Sequence, residues 1–528
     1  MNRRLETSLV RYAESDVYPF HMPGHKRNPD FLRAEALADI TEITDFDNLH
    51  KPEGILREEM DLAKKLYGTK ETFFSVNGST GALLAAISAA VPRGGSMLIE
   101  RGCHMSVYHA AYLRDAKLYF LGETEPEKAH ALVVSSPTYE GCLKDLPRCA
   151  ALARRKGAVL IVDEAHGAHL PFCEPYGFPA SAIRQGADLV IQSVHKTLPA
   201  MTQTALLHNV TGLVENEALS AFLDIYETSS PSYVLLSSIT HVLHMAEDRG
   251  EMLFSAYAER IRNVRRILSA NLRNLKLAGG EEAVLSPEEE LFPKVWDSSG
   301  ESGKDGGMRK SVLDGCRMPG CGKALLLTNG KGTILDPGKL VIRSGPLGGE
   351  RLFALLRDNY GLELEMKAPG YVLAMTSPAD TDEGFLRLIS ALGEIDENYE
   401  FFMKSSQKNR REDRLSNQES EGEDKGAIME ALSAYAAPSE SAAPSAYAAS
   451  ADGAVRLGSA LESPRERVTL EKAAGRRAAG FVILYPPDVP LIVPGELFTI
   501  EKVMHIFQWI KCGYSVIGVE RDGVYVEK

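Results

Sequence analysis

The chain has 528 residues, 44% hydrophobic and 25% charged, the proportions of an ordinary globular protein long enough for roughly two to four domains. Its formal charge of −13 argues against nucleic acid or an anionic membrane as the main partner. No apolar run approaches the ~18 residues of a membrane span. The opening MNRRLETSLVRYAESD lacks a signal-type apolar centre, and seven cysteines without framework spacing fit free thiols in a reducing cytoplasm. The nearest pair, Cys316 and Cys321, has no second pair to complete a zinc site, so no metal is expected there.

In chain order, residues 1–40 read as a helix and a turn at residues 20–26 (FHMPGHK), which Pro23 and Gly24 force. After a Pro-Glu-Gly turn, Ile55, Leu56, Met60, Leu62, Ala63 and Leu66 recur near helical spacing, with Gly68 placed to end the helix. TFFSVNGSTGALLAAISAAV reads as a short strand, a loop over residues 77–81 and an alanine-rich helix. Such a turn aims free N–H groups and a positive dipole end at an anion, with Gly78, Ser79 and Thr80 at the turn. A merely capped helix is the competing reading, and no Gly-Lys-Ser/Thr follows to make a Walker loop. Strand 96–100 leads to Cys103, His104 and another helix. Cys103, His104 and His109 match no zinc spacing, whereas an imidazole at a strand-to-helix turn suits stacking on a flat ligand. Strand 131–135 and helix 145–156 follow.

Two apolar runs, residues 159–162 and 189–191, end abruptly in Asp163 and His166 and in His195 and Lys196. Runs of this kind are buried parallel strands, polar only at their tips. Ligands of open α/β sheets bind just beyond those tips. Strands alternating with helices predict a mostly parallel, doubly wound sheet over residues 41–280. A further strand (TALLHNV), a Ser/Thr-rich loop at 228–232 followed by a helix, and a long amphipathic helix from about 251 to 275 complete it. Residues 281–403 read as a small α+β domain with an inserted loop at 297–335. The Ala/Ser/Pro/Glu-rich stretch 404–466 reads as a disordered linker, and 467–528 as a compact α+β tail.

A lysine at a buried strand end is costly as a charge and is usually neutralised, paired or used covalently. One such use is a Schiff base with pyridoxal 5'-phosphate, where an Asp partners the pyridinium nitrogen. That chemistry also needs a phosphate loop and an imidazole against the ring. All four occur in order: Ser79 and Thr80, then His104, then Asp163 with His166, then His195 and Lys196. An ion pair between Asp163 and Lys196 at a sheet edge explains only part of this set. A metallohydrolase using Asp163, Glu164, His166 and His169 leaves SVHK and NGSTG unexplained. An aminotransferase or amino acid lyase keeps the cofactor, but transaminases commonly hold the substrate carboxylate with an arginine, and Arg343 sits in a poor context for that.

The ordered set resembles the Orn/Lys/Arg decarboxylases, fold-type-I pyridoxal-phosphate enzymes, in their short bacterial form. The matching segments are FHMPGHKRN (20–28), DNLHKPEGI (47–55), VNGSTGALLAAI (76–87), RGCHMSVYHA (101–110), SPTYEGCLKDL (136–146), VDEAHGAH (162–169), QSVHKTLPAMTQ (192–203), TSSPSYVLLSSI (228–239) and YPPDVPLIVPGE (485–496). The resemblance implies an α/β, aspartate-aminotransferase-like large domain with a mostly parallel doubly wound sheet, a small α+β domain and a C-terminal α+β tail. It implies loss of CO2 from arginine, lysine or ornithine, in cytoplasmic polyamine-related metabolism. Lys196 would carry the cofactor and later move a proton, Asp163 would face the pyridine nitrogen, His104 would stack on the ring and His166 would lie near a cofactor oxygen. Gly78, Ser79, Thr80, Ser193 and His195 would hold the phosphate. The 228–232 loop would reach a neighbouring subunit's site in a homodimer or larger assembly. A cationic substrate also needs acidic groups, for which Glu363 and Glu365 are candidates. The 297–335 insertion and the linker exceed what the family core needs.

Overall fold

In a computed structural model of the chain, the described residues are 16, 18–20, 47–123, 125–279, 327–328, 334–404, 454–485, 489–511, 514–520 and 523–528. The expected N-terminal helix, most of the 20–26 turn, most of the 297–335 insertion and residues 405–453 of the expected linker lie outside them.

The chain begins with β1 (Tyr18–Phe20) and α1 (Ile55–Tyr67). Helix α1 buries Leu56, Met60, Ala63 and Tyr67, and ends at Gly68, whose φ of 71° is the left-handed cap a glycine takes without strain. There follow β2 (Glu71–Ser75), α2 (Gly78–Ala90), β3 (Ser96–Ile99), α3 (Met105–Leu113), β4 (Lys117–Phe120) and β5 (Ala131–Ser135). Next come α4 (Leu146–Lys156), β6 (Val159–Asp163), β7 (Leu189–Ser193), the single turn α5 (Val194–Thr197) and β8 (Ala205–Asn209). The unit closes with α6 (Asn216–Tyr226) and α7 (Tyr233–Asn271).

Strands β2 to β8 form one seven-stranded sheet in the order β2-β8-β7-β6-β5-β3-β4. Strand β8 runs antiparallel to β2 and β7, and the other pairs are parallel. Leu160, Val162 and Val190 enter the core beneath α1, α4 and α7. Ile161, Leu189 and Ile191 enter the opposite core, beneath α2, α3 and α6. Burial on both faces is why these strands carry unbroken apolar runs.

Two local expectations change. Residues 78–81 are not a loop but the first turn of α2, begun by Gly78 at a φ of 71° and continued by the alanine-rich run. The helix expected after the 228–232 loop and the long helix expected near 251–275 run together as α7, which begins where the Ser232 side chain accepts the Leu235 N–H. A kink at Arg249 (φ −141°, ψ 17°), just before Gly250, marks where the sequence pattern was broken.

The second unit holds β9 (Lys276–Leu277), β10 (Lys339–Arg343), α8 (Gly349–Tyr360), β11 (Leu362–Leu364), β12 (Met366–Ala368), β13 (Tyr371–Met375) and α9 (Asp382–Glu397). Its four-stranded antiparallel sheet has the order β12-β13-β10-β9, and β1 pairs in parallel with β11.

The tail comprises α10 (Leu457–Glu462), β14 (Arg465–Thr469), β15 (Val482–Tyr485), β16 (Val489–Ile492), α11 (Ile500–Lys511), β17 (Ser515–Ile517) and β18 (Gly523–Glu527). Residues 454–466, expected within the disordered linker, are ordered. Val455 pairs with Leu118 of β4, Leu457 is buried in the core beside α3, and β14 pairs with β18. Those apolar residues give the segment enough burial to offset its ordering entropy. Arg101 fastens the tail to the sheet rim through Glu496 at 2.9 Å. Among the described residues, no helix is long and apolar enough to cross a membrane.

Candidate active site

Strand β6 ends at Asp163, level with Ser135 on one neighbour and Ile191 on the other. The turn after β6 must fold back tightly. At Gly167 a Cβ would lie 2.6 Å from Cγ of Glu164 and 3.0 Å from Cδ of Pro137, so a side chain there would push the turn open. The turn returns His166 to the sheet rim. The imidazole is buried between two amines: its Nε2 is 3.0 Å from Nζ of Lys196, and its Nδ1 is 3.0 Å from Nζ of Lys339 on β10. Burial first, reinforced by the neighbouring amines of Lys196 and Lys339, holds the ring well below the usual histidine range, so it is neutral.

Lys196 belongs to the single turn beyond β7. Burial depresses its pKa below the ordinary lysine value, although the carboxylates of Asp163 and Glu365 both favour its charge. Asp163 accepts the Ala165 N–H at 3.1 Å, which fixes the carboxylate at the strand tip. Tyr139 packs its ring 4.7 Å from that of His166, and its hydroxyl donates to Glu365. Tyr371 donates to Glu140 at 3.0 Å.

A second corner of the rim is built for an anion. The Gly78 N–H donates to the Gln203 carbonyl at 2.8 Å, and the Val194 N–H to the adjacent Thr204 carbonyl at 3.0 Å. These bonds draw the start of α2, with Ser79 and Thr80, towards Ser193 and His195. The Ser193 hydroxyl is buried and has no hydrogen-bond partner among the described residues. A buried orphan hydroxyl beside a helix N-terminus is what a phosphate oxygen would satisfy. His195 gives its Nδ1 proton to the Thr204 carbonyl at 2.9 Å, and burial pushes its pKa down to about 4. A phosphate dianion alongside would favour its charged, donating form. His104 caps α3, its Nδ1 accepting the Ser106 N–H at 3.2 Å, which fixes the half-buried ring near His166. An amine whose charge burial disfavours, a neighbouring carboxylate, an orphan hydroxyl and a positioned imidazole fit pyridoxal phosphate.

Other expected residues separate from this group. Glu164 turns away, accepting from Ser181 (2.6 Å), the Ala182 N–H (2.7 Å) and Gln192 (2.7 Å). His169 faces Asp336 at 3.2 Å. The side chains of the metallohydrolase reading therefore go to different partners, and no metal-binding group of three forms among the described residues. Glu365 joins the site, whereas Glu363 lies on β11 opposite Pro19. Arg343 pairs with Tyr371 at the end of β10, outside the cluster around His166. In the 228–232 loop, the Thr228 carbonyl meets Nε2 of His50 at 2.8 Å, while Nδ1 of His50 meets Asp224 at 2.7 Å. Sequence reasoning missed Lys339 and the part played by Tyr139. The signal was present: Lys339 opens the apolar run LVI, and a lysine at the end of such a run is what drew attention to Lys196.

The profile of the Orn/Lys/Arg decarboxylase major domain matches residues 4–126 and 120–284, and that of the Orn/Lys/Arg decarboxylase C-terminal domain matches residues 445–515. The arginine decarboxylase of Bacillus subtilis (strain 168) is 27% identical over 99% of this chain and 96% of its own length. The constitutive lysine decarboxylase of Escherichia coli (strain K12) is 22% identical over 94% of this chain and 75% of its own. A solved structure of E. coli constitutive lysine decarboxylase superposes with a TM-score of 0.64 at 18% identity, covering 99% of this chain and 81% of that one, so the fold is shared.

Proposed function

This chain belongs to the Orn/Lys/Arg decarboxylase family, and we propose that it removes the α-carboxylate of a basic amino acid as CO2 using pyridoxal 5'-phosphate. The observation that carries the reading is the Lys196 amine, whose charge burial disfavours, within the influence of the carboxylate at the tip of the adjacent strand. When bound, pyridoxal phosphate supplies an electron sink for the electron pair left as CO2 departs.

The chain's own groups do the rest. Asp163 would hold a proton at the ring nitrogen, a role that needs the fixed carboxylate its Ala165 bond provides. His104 would lie against the ring, and His166 beside its oxygen. Ser193, His195, Ser79, Thr80 and the Gly78 turn bind the phosphate. Lys196 Nζ carries the cofactor and returns a proton to the α-carbon after CO2 has left. Glu365, paired with Tyr139 beside Lys196, meets the cationic end of the substrate and fixes its orientation. The partly buried neighbours Tyr139 and Tyr371 screen the site from water, which strengthens each of these contacts.

Arginine has the support of a relative matched across nearly all of both chains, lysine that of a more distant one. The proposed setting is cytoplasmic, in the supply of polyamine precursors, with a homodimer or larger assembly whose 228–232 loops reach neighbouring sites. The proposed domains are 41–280, 281–403 and a tail that starts near residue 454. Release of labelled CO2 from carboxyl-labelled arginine, lysine and ornithine tests the reading. It expects one strong substrate among the three, and no release from any of them would refute it.

A further inference from the structure

We propose that Lys339 is a positioning residue: its ammonium fixes the His166 proton on Nε2 and thereby holds the Lys196 amine in its uncharged, nucleophilic form. This rests on the reading of Lys196 as the cofactor-carrying residue. A neutral imidazole has one N–H and one lone pair, so it donates from one nitrogen and accepts at the other. Each nitrogen of His166 faces a lysine amine at 3.0 Å. An ammonium has three donors and no lone pair, so it can face only the accepting nitrogen. The amine that meets the N–H must therefore be uncharged. The remaining question is which lysine keeps its charge.

The surroundings of the two amines answer it. Lys339 lies three residues from Asp336, a fully buried carboxylate. Burial opposes the Asp336 charge, but His169, Lys339 and the Gly338 N–H together hold that carboxyl below its usual range. Lys339 thus lies in the field of a charged carboxylate three residues away, whose direct partner is His169 at 3.2 Å. Its stem is fixed as well: a Cβ on Gly141 would lie 2.7 Å from the Lys339 Cγ, so the 138–141 turn is packed directly onto the chain of methylenes. Around Lys196 the balance tips the other way, and burial outweighs Asp163 and Glu365. The charge therefore sits on Lys339, the accepting nitrogen is Nδ1, and Nε2–H donates to Lys196. An uncharged Lys196 forms the carbon–nitrogen bond to an aldehyde directly, its two protons leaving with the aldehyde oxygen as water. An ammonium would first have to lose a proton.

The test uses the full-length chain freed of cofactor. Acetylation of Lys196 by acetic anhydride is followed by peptide mass spectrometry as a function of pH in wild type, Lys339→Met and Lys339→Arg. Wild type should label with a midpoint below the ordinary lysine value of about 10.4. Lys339→Met lets the imidazole proton move to Nδ1 and removes a repelling charge. Its midpoint should rise by about one pH unit or more, roughly tenfold slower labelling near pH 7. Lys339→Arg keeps the charged donor and should stay within about threefold of wild type, a rescue that a purely structural role would not predict. Equal profiles for wild type and Lys339→Met, or an Arg variant as slow as Met, would overturn the proposal. Should the Met variant not fold, nitrogen-15 NMR of histidine-labelled wild type decides, with the His166 signal identified by its loss in His166→Gln. The proton must reside on Nε2, and the opposite tautomer or a doubly protonated ring overturns the proposal. Neither readout involves pyridoxal phosphate, so a failure here is distinct from a failure of the decarboxylase reading.

Discussion

Gln192 and Ser193 are neighbours on β7, both fully buried, and face opposite sides of the sheet. On the side of Gln192 the buried polar side chains form one continuous chain of hydrogen bonds. Gln192 donates to Glu164 at 2.7 Å and accepts from His208 Nε2 at 3.2 Å; His208 Nδ1 accepts from Thr72 at 2.9 Å, and Thr72 from Thr69 at 2.8 Å. The protons run in one direction and end on a carboxylate that already has two further donors. On the other side, Ser193 has no partner among the described residues, and at the nearby sheet rim two lysine amines share one imidazole. A closed network stabilises and specifies the fold, whereas open valences and an amine whose charge burial disfavours mark the place where a ligand completes the structure.

The contrast can be broken most severely on the open side. Lys196→Ala should lower decarboxylation by about 10³-fold or more, measured as CO2 release, while the melting temperature changes little. On the closed side, Gln192→Leu should leave Glu164 and His208 short of partners and cost about 2–4 kcal/mol. Urea unfolding would show that loss, with activity per folded molecule nearly retained. A subtler test uses pH. Burial pushes His208 down to about 3, so the unfolded chain takes up a proton first as pH falls below about 6.5. The folded state therefore loses stability between about pH 6.5 and pH 3, by roughly 1.4 kcal/mol per pH unit from this residue alone. The stability advantage of wild type over His208→Asn should shrink accordingly between urea titrations at pH 6.5 and 4.5. The smallest effect expected is that of Ser193→Ala, which removes a hydroxyl with no partner. It should weaken pyridoxal phosphate binding by about 3- to 10-fold, near 1 kcal/mol, and leave the cofactor-free melting temperature unchanged.

Much of this arrangement could be read from the chain itself, for definable reasons. The runs 159–162 and 189–191 are apolar on both faces because helices cover both, so their ends announce the ligand rim. Asp163 and Glu164 look alike in sequence. Which one serves the site depends on strand phase and on a tight turn at Gly167, and neither is visible as a motif. Residues 78–81 looked like a loop because Gly and Ser dominate there, yet the following alanines carry the helix back to Gly78. Residues 454–466 share the linker's composition but contain Leu457 and Leu461, enough to dock against α3. Lys339 belongs to another sheet, more than 140 positions from Lys196, and only tertiary packing brings it to His166.

The central claim is that Lys196 is the amine that takes up pyridoxal phosphate. The most direct measurement adds the cofactor to the full-length chain, reduces with borohydride and maps the attached pyridoxyl group by mass spectrometry. The account predicts a single label, on the peptide that contains Lys196. A label confined to other lysines, or none with the protein folded, would contradict it.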